Sequence, residues 1–172
     1  MKKTVSLKPQ DVALLAKLIT YKGDQWRQVD LAQELGLSQG EIAKSISRLS
    51  KAGLINEKRV NRLAALEFIL HAVKYAFPAE VGALTVGIPT GISAPAHEKM
   101  VVQSSNDIYV WPSTQGSHRG QLIKPFYANL AEAALRDSDF YAFMAAIEIL
   151  RIGRARERKL AQIYIEGKIK NL

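Results

Sequence analysis

The chain has 172 residues and carries 24 Lys and Arg against 16 Asp and Glu, a formal net charge of +8. Hydrophobic residues make up 48%, which suits a folded chain and is too many for a disordered one. Cysteine is absent and the three histidines, His71, His97 and His118, are far apart, which excludes disulfides and thiolate zinc sites and argues against a metal centre.

The length fits one domain or two small ones. The start is polar, and no stretch approaches the roughly 20 apolar residues of a membrane helix. The expectation is a cytoplasmic protein with no membrane partner. The positive excess is uneven. Residues 1–62 hold 12 basic and 6 acidic side chains, residues 63–136 hold 5 and 5, and residues 137–172 hold 7 and 5. A polyanionic partner is therefore sought in the first third.

A first helix is expected to open near Pro9, with Ser6 as its N-cap, and to stop at Gly23-Asp24. A second runs over residues 29–35, with Leu31, Ala32 and Leu35 inward and Gly36 breaking it. A third follows Ser38, whose Ser-x-x-Glu spacing to Glu41 reads as a capping box. Its inner stripe is Ile42, Ile46 and Leu49, and Gly53 ends it. Residues 54–60 read as a small hairpin or one edge strand. Residues 63–77 form a helix apolar around most of its girth, expected to be buried on more than one side. Residues 83–88, 100–103 and 107–111 read as strands, with turns at Pro89-Thr90-Gly91 and Asn106-Asp107. Helical periodicity returns over residues 123–136, 139–151 and 154–168, with Gly153 between the last two. The fold class is therefore mostly α with a small β-sheet, an α+β fold. It divides into residues 1–62 and residues 63–172.

Residues 28–49 match a helix-turn-helix. The pattern wants a small residue where the two helices touch, which Ala32 supplies. It wants a glycine in the turn, where the backbone needs a positive φ, and Gly36 supplies it. Leu37, the cap Ser38 and the apolar stripe complete it. With that stripe inward, Gln39, Gly40, Ala43, Lys44, Ser47, Arg48 and Lys51 face outward. Gln39 suits adenine, and Lys44 suits guanine or a phosphate. Gly40 and Ala43 leave room for close approach, and Ser47 reaches a base or a phosphate. Arg48, Lys51, Lys58, Arg59 and Arg62 read as phosphate contacts, which give affinity without sequence information. Arg27 and Gln28 stand at the start of the second helix as backbone clamps.

The stretch Ile46-Ser47-Arg48-Leu49-Ser50-Lys51-Ala52-Gly53-Leu54-Ile55 resembles the end of the recognition helix in winged helix-turn-helix regulators of the MarR and GntR groups. The resemblance covers roughly residues 7–60. It implies a sequence-specific double-stranded DNA-binding regulator acting as a homodimer. It departs from the family at the wing, because few residues separate Ile55 from Leu63. The C-terminal half is similar to small prokaryotic regulators, some of them in toxin–antitoxin-like gene pairs. That likeness rests on Val110-Trp111-Pro112, Pro125-Phe126-Tyr127 and the basic run at residues 151–158. It implies an alternative function, an antitoxin-like adaptor that also grips a protein partner.

Dimer-interface candidates are residues 63–77 and the stripe Phe140, Phe143, Met144, Ile147 and Leu150, whose plainer reading is core. The run at residues 151–159 is a second nucleic-acid surface, a solvated helix face, or a set of arginines paired with Asp137 or Asp139. Trp111, His118 and Arg119 are candidates for a ligand or partner site. His97-Glu98 reads as a surface pair. No phosphate loop, dinucleotide fingerprint, nucleophile elbow or metalloprotease motif occurs, so neither catalysis nor a cofactor is expected.

Overall fold

Proline has no backbone N–H to leave unsatisfied, which makes Pro9 a suitable first residue for a helix. In the computed structural model, which describes residues 6–23, 25–99 and 108–172, helix α1 spans Pro9–Thr20. Its N-cap is Lys8 rather than Ser6. The cap works through Asp11, whose carboxylate accepts from the Lys8 N–H at 2.8 Å. Helices α2 (Gln28–Leu35) and α3 (Gln39–Lys51) follow. A hairpin of two-residue strands comes next, β1 (Ile55–Asn56) and β2 (Arg59–Val60). The expected stop at Asp24 lies outside the described residues.

Helix α4 (Arg62–Glu67) continues through a π-helical turn at Phe68–Ala72 into α5 (Val73–Ala76). One face is buried through Ala65, Ile69, Leu70 and Val73. Leu63 and Tyr75 stand 70% and 75% exposed, so the expectation of burial on several sides does not hold. The buried face runs through the π turn, and the apolar residues off that stripe are left to solvent because only one side of the helix meets the core.

Strand β3 (Val81–Thr90) pairs antiparallel with both β4 (Tyr109–Pro112) and β5 (His118–Ile123). Strands β4 and β5 pair in parallel at Tyr109↔Gln121 and Val110↔Leu122, which closes the three strands on themselves. Such tight closure needs residues without a Cβ. A Cβ on Gly87 would lie 2.0 Å from the Trp111 carbonyl oxygen, and one on Gly120 would lie 2.4 Å from that of Ile108. The expected turn at Pro89-Thr90 is the end of β3, and only Gly91 begins a turn. Residues 100–107, with the expected strand and the Asn106-Asp107 turn, lie outside the described residues.

The helix expected from residue 123 begins later. Ile123 closes β5, and α6 spans Leu130–Arg136. Gly120 and Ile123 are the buried residues of β5 and lie three apart, so this short strand has no clean two-residue alternation to set against the helical pattern that follows. Helices α7 (Ser138–Ile152) and α8 (Ala155–Lys170) complete the chain. Every residue of α7 from 142 to 150 is buried. Phe140, Phe143, Met144, Ile147 and Leu150 are therefore core and present no dimer surface. Helix α7 packs against α1, α6 and α8. One hydrophobic cluster runs from Val12 to Ile169, so the segments before and after residue 62 share a core. About 56% of the described residues are helical and 15% are strand, an α+β fold.

Candidate nucleic-acid interface

The turn between α2 and α3 is fixed from both ends. Gly36 has φ 64° and ψ 36°, the left-handed region that favours glycine. The Leu37 N–H donates to the Ala32 carbonyl and that of Gly36 to the Gln33 carbonyl, a Schellman ending. The other carbonyls at this helix end are met from the far part of the sequence. Arg136 Nη2 donates to the Glu34 oxygen at 3.2 Å, the Tyr127 hydroxyl to the Leu35 oxygen at 2.9 Å, and Asn129 Nδ2 to the Gly36 oxygen at 2.8 Å. Burial pushes the Tyr127 phenol well above its ordinary range, so it remains a donor. Sequence reasoning missed this clamp. A tyrosine, an asparagine and an arginine about 100 residues away carry no local mark of it.

Helix α3 starts at Ser38, whose hydroxyl accepts from the Glu41 N–H at 3.1 Å. The reciprocal half of the capping box is not made. Glu41 instead accepts from Gln10 Nε2 at 2.6 Å and from Lys44 Nζ at 3.4 Å, and these two donors hold its carboxyl below the usual range. Ile42, Ser45 and Leu49 are buried and Ile46 is half-buried. Gln39, Gly40, Ala43, Lys44, Ser47 and Lys51 are all exposed, along one face and its C-terminal end. The helix ends in a second Schellman arrangement around Gly53, whose φ is 76°.

Arg48 does not belong to that face. Its side chain turns inward and retains 15% of its exposure. Nε and Nη2 donate to the two oxygens of Asp11 at 2.7 and 2.6 Å, and the Ser45 hydroxyl donates to the same carboxylate. Asp11 is wholly buried. A buried carboxylate costs far more without a cation than an exposed arginine gains from water, so the pair outweighs a solvated position. The expected Arg48 phosphate contact is thus corrected to a brace between α3 and α1.

The hairpin after α3 turns through Glu57 (φ 45°) and Lys58 (φ 71°), two left-handed residues with no glycine between them. Trp26 supports this turn. Its Nε1 donates to the Lys58 carbonyl at 3.1 Å, and Lys58 Nζ lies 5.4 Å from the centre of its ring. Lys58, Arg59 and Arg62 are exposed and form no ion pair among the described residues. Gln28 is exposed at the first position of α2. Arg27 is exposed but forks onto Asp30 at 2.9 and 2.8 Å, which leaves it less available to a phosphate.

The site expected around Trp111 does not form. Trp111 is fully buried, with Nε1 donating to Glu148 at 3.1 Å. His118 and Arg119 are exposed on β5, so the three side chains share no surface. His97 is likewise buried rather than superficial. Its Nε2 bonds the Ala142 carbonyl at 2.8 Å, its ring stands edge-on to Tyr164, and burial lowers its pKa. In the run at residues 151–159, Arg151 is internal and pairs with Glu148, while Asp137 and Asp139 are taken by lysines. Arg154, Arg156, Arg158 and Lys159 remain exposed, and Glu157 is buried on the Arg154 N–H. Among the described residues no helix is long and apolar enough to cross a membrane. Compared with protein-family models, curated proteins and solved structures, the chain has no significant match.

Proposed function

We propose that this chain binds double-stranded DNA in a sequence-specific way, with α3 in the major groove, and acts in the cytoplasm as a transcriptional regulator. One observation carries the reading: the face of α3 formed by Gln39, Gly40, Ala43, Lys44 and Ser47 is solvent-exposed, on a helix held to α2 by a clamped glycine turn. A recognition helix needs that combination of a free face and a fixed back. Gln39 and Lys44 are the base-reading side chains, and Gly40 and Ala43 admit the groove wall. Lys51, Lys58, Arg59 and Arg62 supply phosphate contacts. Arg27 has a lesser part because Asp30 already holds it.

The regulator acts as a homodimer, so that two copies of α3 meet successive grooves about 34 Å apart. A second reading, an adaptor that also binds a protein partner, is favoured by β3, where Val81, Leu84 and Val86 are exposed apolar residues.

Selection from a random duplex library tests the central claim. Enrichment of one motif by the wild-type chain, lost in Lys44→Ala and Gln39→Ala, is the expected outcome. Equal binding of all sequences would remove specificity, and no binding at low salt would remove the whole reading.

A further inference from the structure

A broad groove of about 810 Å³ is bordered by the hairpin and lined by no residue of α3. Strand β1 packs against α3 and β2 against α1, so the hairpin stands between the two surfaces. The charged side chains lining the groove are Lys22 at the end of α1, Lys58 and Arg59 of the hairpin, Arg62 at the start of α4, Lys168 of α8, and Asp139 of α7. Among the described residues, five cationic side chains thus face one side-chain carboxylate. Asp139 does not cancel them evenly. It holds Lys22 at 2.6 Å and Lys168 at 3.5 Å, while Lys58, Arg59 and Arg62 have no acid partner among the described residues.

We infer that this groove binds the phosphate backbone of a duplex that continues past the segment read by α3, so that the nucleic-acid surface extends around the hairpin to α8. The inference rests on the DNA-binding reading above and adds Lys22 and Lys168 to it.

Three features select a duplex backbone over other anions. The cations are spread along an open channel and none is buried, which suits a row of phosphates and not one enclosed anion. The groove offers no run of aromatic faces for bases: Trp26 is 7% exposed with Lys58 over its ring, and the one other aromatic in the lining is the half-buried Tyr21. Single strands are held largely by stacking of successive bases, which a single half-buried ring does not support. Finally, Lys58 and Arg59 belong both to the hairpin and to the groove, so one strand of a duplex seated on α3 meets the same charges before reaching Lys168.

The test is the salt dependence of binding by the full chain to random-sequence duplexes of two lengths, about 12 and about 30 base pairs, roughly one and three helical turns. The expected result is a steeper salt slope on the longer duplex. The double variant Lys22→Gln/Lys168→Gln should flatten that slope by about two units and weaken binding about tenfold near 0.1 M salt, with no change on the short duplex. Because these lysines also hold Asp139, thermal unfolding checks the fold. Arg59→Gln/Arg62→Gln, which breaks no ion pair, should flatten the long-duplex slope by a similar amount. Equal wild-type slopes on the two lengths would overturn the groove assignment. So would wild-type slopes in both double variants. Displacement of neither duplex but tight binding of poly-glutamate to the groove would assign it to an acidic protein instead. The reading of α3 fails separately, on a short duplex that carries the selected motif: it falls if Lys44→Ala leaves binding to that duplex unchanged, whatever the groove variants do.

Discussion

Helices α3 and α7 each carry an arginine that turns back into the protein to meet a buried carboxylate, and the two pairs are built differently. Arg48 of α3 reaches across to Asp11 of α1, and that carboxylate also accepts from Ser45 and from the Lys8 N–H. Arg151 of α7 finds its carboxylate, Glu148, on its own helix, where Trp111 adds one further donor. Arg151 also bonds the Pro78 carbonyl and stacks 4.2 Å from the centre of the Phe126 ring, yet its Nε has no partner among the described residues. The first pair is a saturated bridge between two helices. The second is an under-supplied carboxylate at the centre of the core. A buried charge is stabilising only as far as its remaining lone pairs and protons are met, so the two sites should respond to damage in different ways.

The largest effect is expected at the saturated bridge. Arg48→Ala leaves Asp11 buried without its cation and should cost about 3–5 kcal/mol, read from the denaturant midpoint. A variant of wild-type stability with weakened DNA binding would return Arg48 to the outer face.

At the second pair the signature is pH. Burial pushes the Glu148 carboxyl up to about 7, against the pull of Arg151 and of the Trp111 bond. From the ordinary carboxylate range up to pH 7 the folded chain keeps a proton that the unfolded chain has released. Stability conferred by this group is therefore greatest in acid and falls as pH rises through that window, by roughly 3 kcal/mol in all. Glu148→Gln should remove this slope when unfolding is followed from about pH 4.5 to about pH 7. The same slope in the variant would mean that another group carries the proton. Asp137 and Asp139, with depressed pKa values, push the other way below that window, so the comparison is made as a difference between the two proteins.

A smaller change is expected at the solvent-facing cation of α3. Lys44→Ala should lose about 1–3 kcal/mol of discrimination between selected and random duplexes while leaving thermal stability within about 0.5 kcal/mol. That outcome would set an exposed lysine of α3 against the braced arginine four residues further on.

The smallest change tests the clamp on the helix-turn-helix. Tyr127→Phe removes one hydrogen bond to the Leu35 carbonyl and should cost about 1 kcal/mol. If the clamp also sets the position of α3, DNA affinity falls with it. Unchanged stability would mean that Asn129 and Arg136 suffice.

The helix-turn-helix was legible because its determinants are local. Gly36 supplies a positive φ, Ser38 caps the next helix, and Ile42 and Leu49 fall on one side of a 3.6-residue turn. Each of these is a property of a residue and its near neighbours. The outward face of α3 followed from the same periodicity, and Gln39, Lys44 and Ser47 stand where it put them. Periodicity failed where a partner overrode it. Arg48 lies on the edge of that face, and only a carboxylate 37 residues earlier draws it inward. Trp111 reads as a candidate ligand or partner residue until Glu148 is placed beside its indole N–H.

The sequence by itself thus determined the helical elements of the first third, the turn that joins α2 to α3, and the residues that line the exposed side of α3. Only the tertiary structure decided which cations remain available to a partner. An arginine and a carboxylate far apart in the chain leave water together only when packing brings them within hydrogen-bonding reach, and no local pattern records that meeting. The three-strand closure and the clamp from Tyr127, Asn129 and Arg136 belong to the same class, since each joins backbone atoms to segments that sequence spacing does not connect.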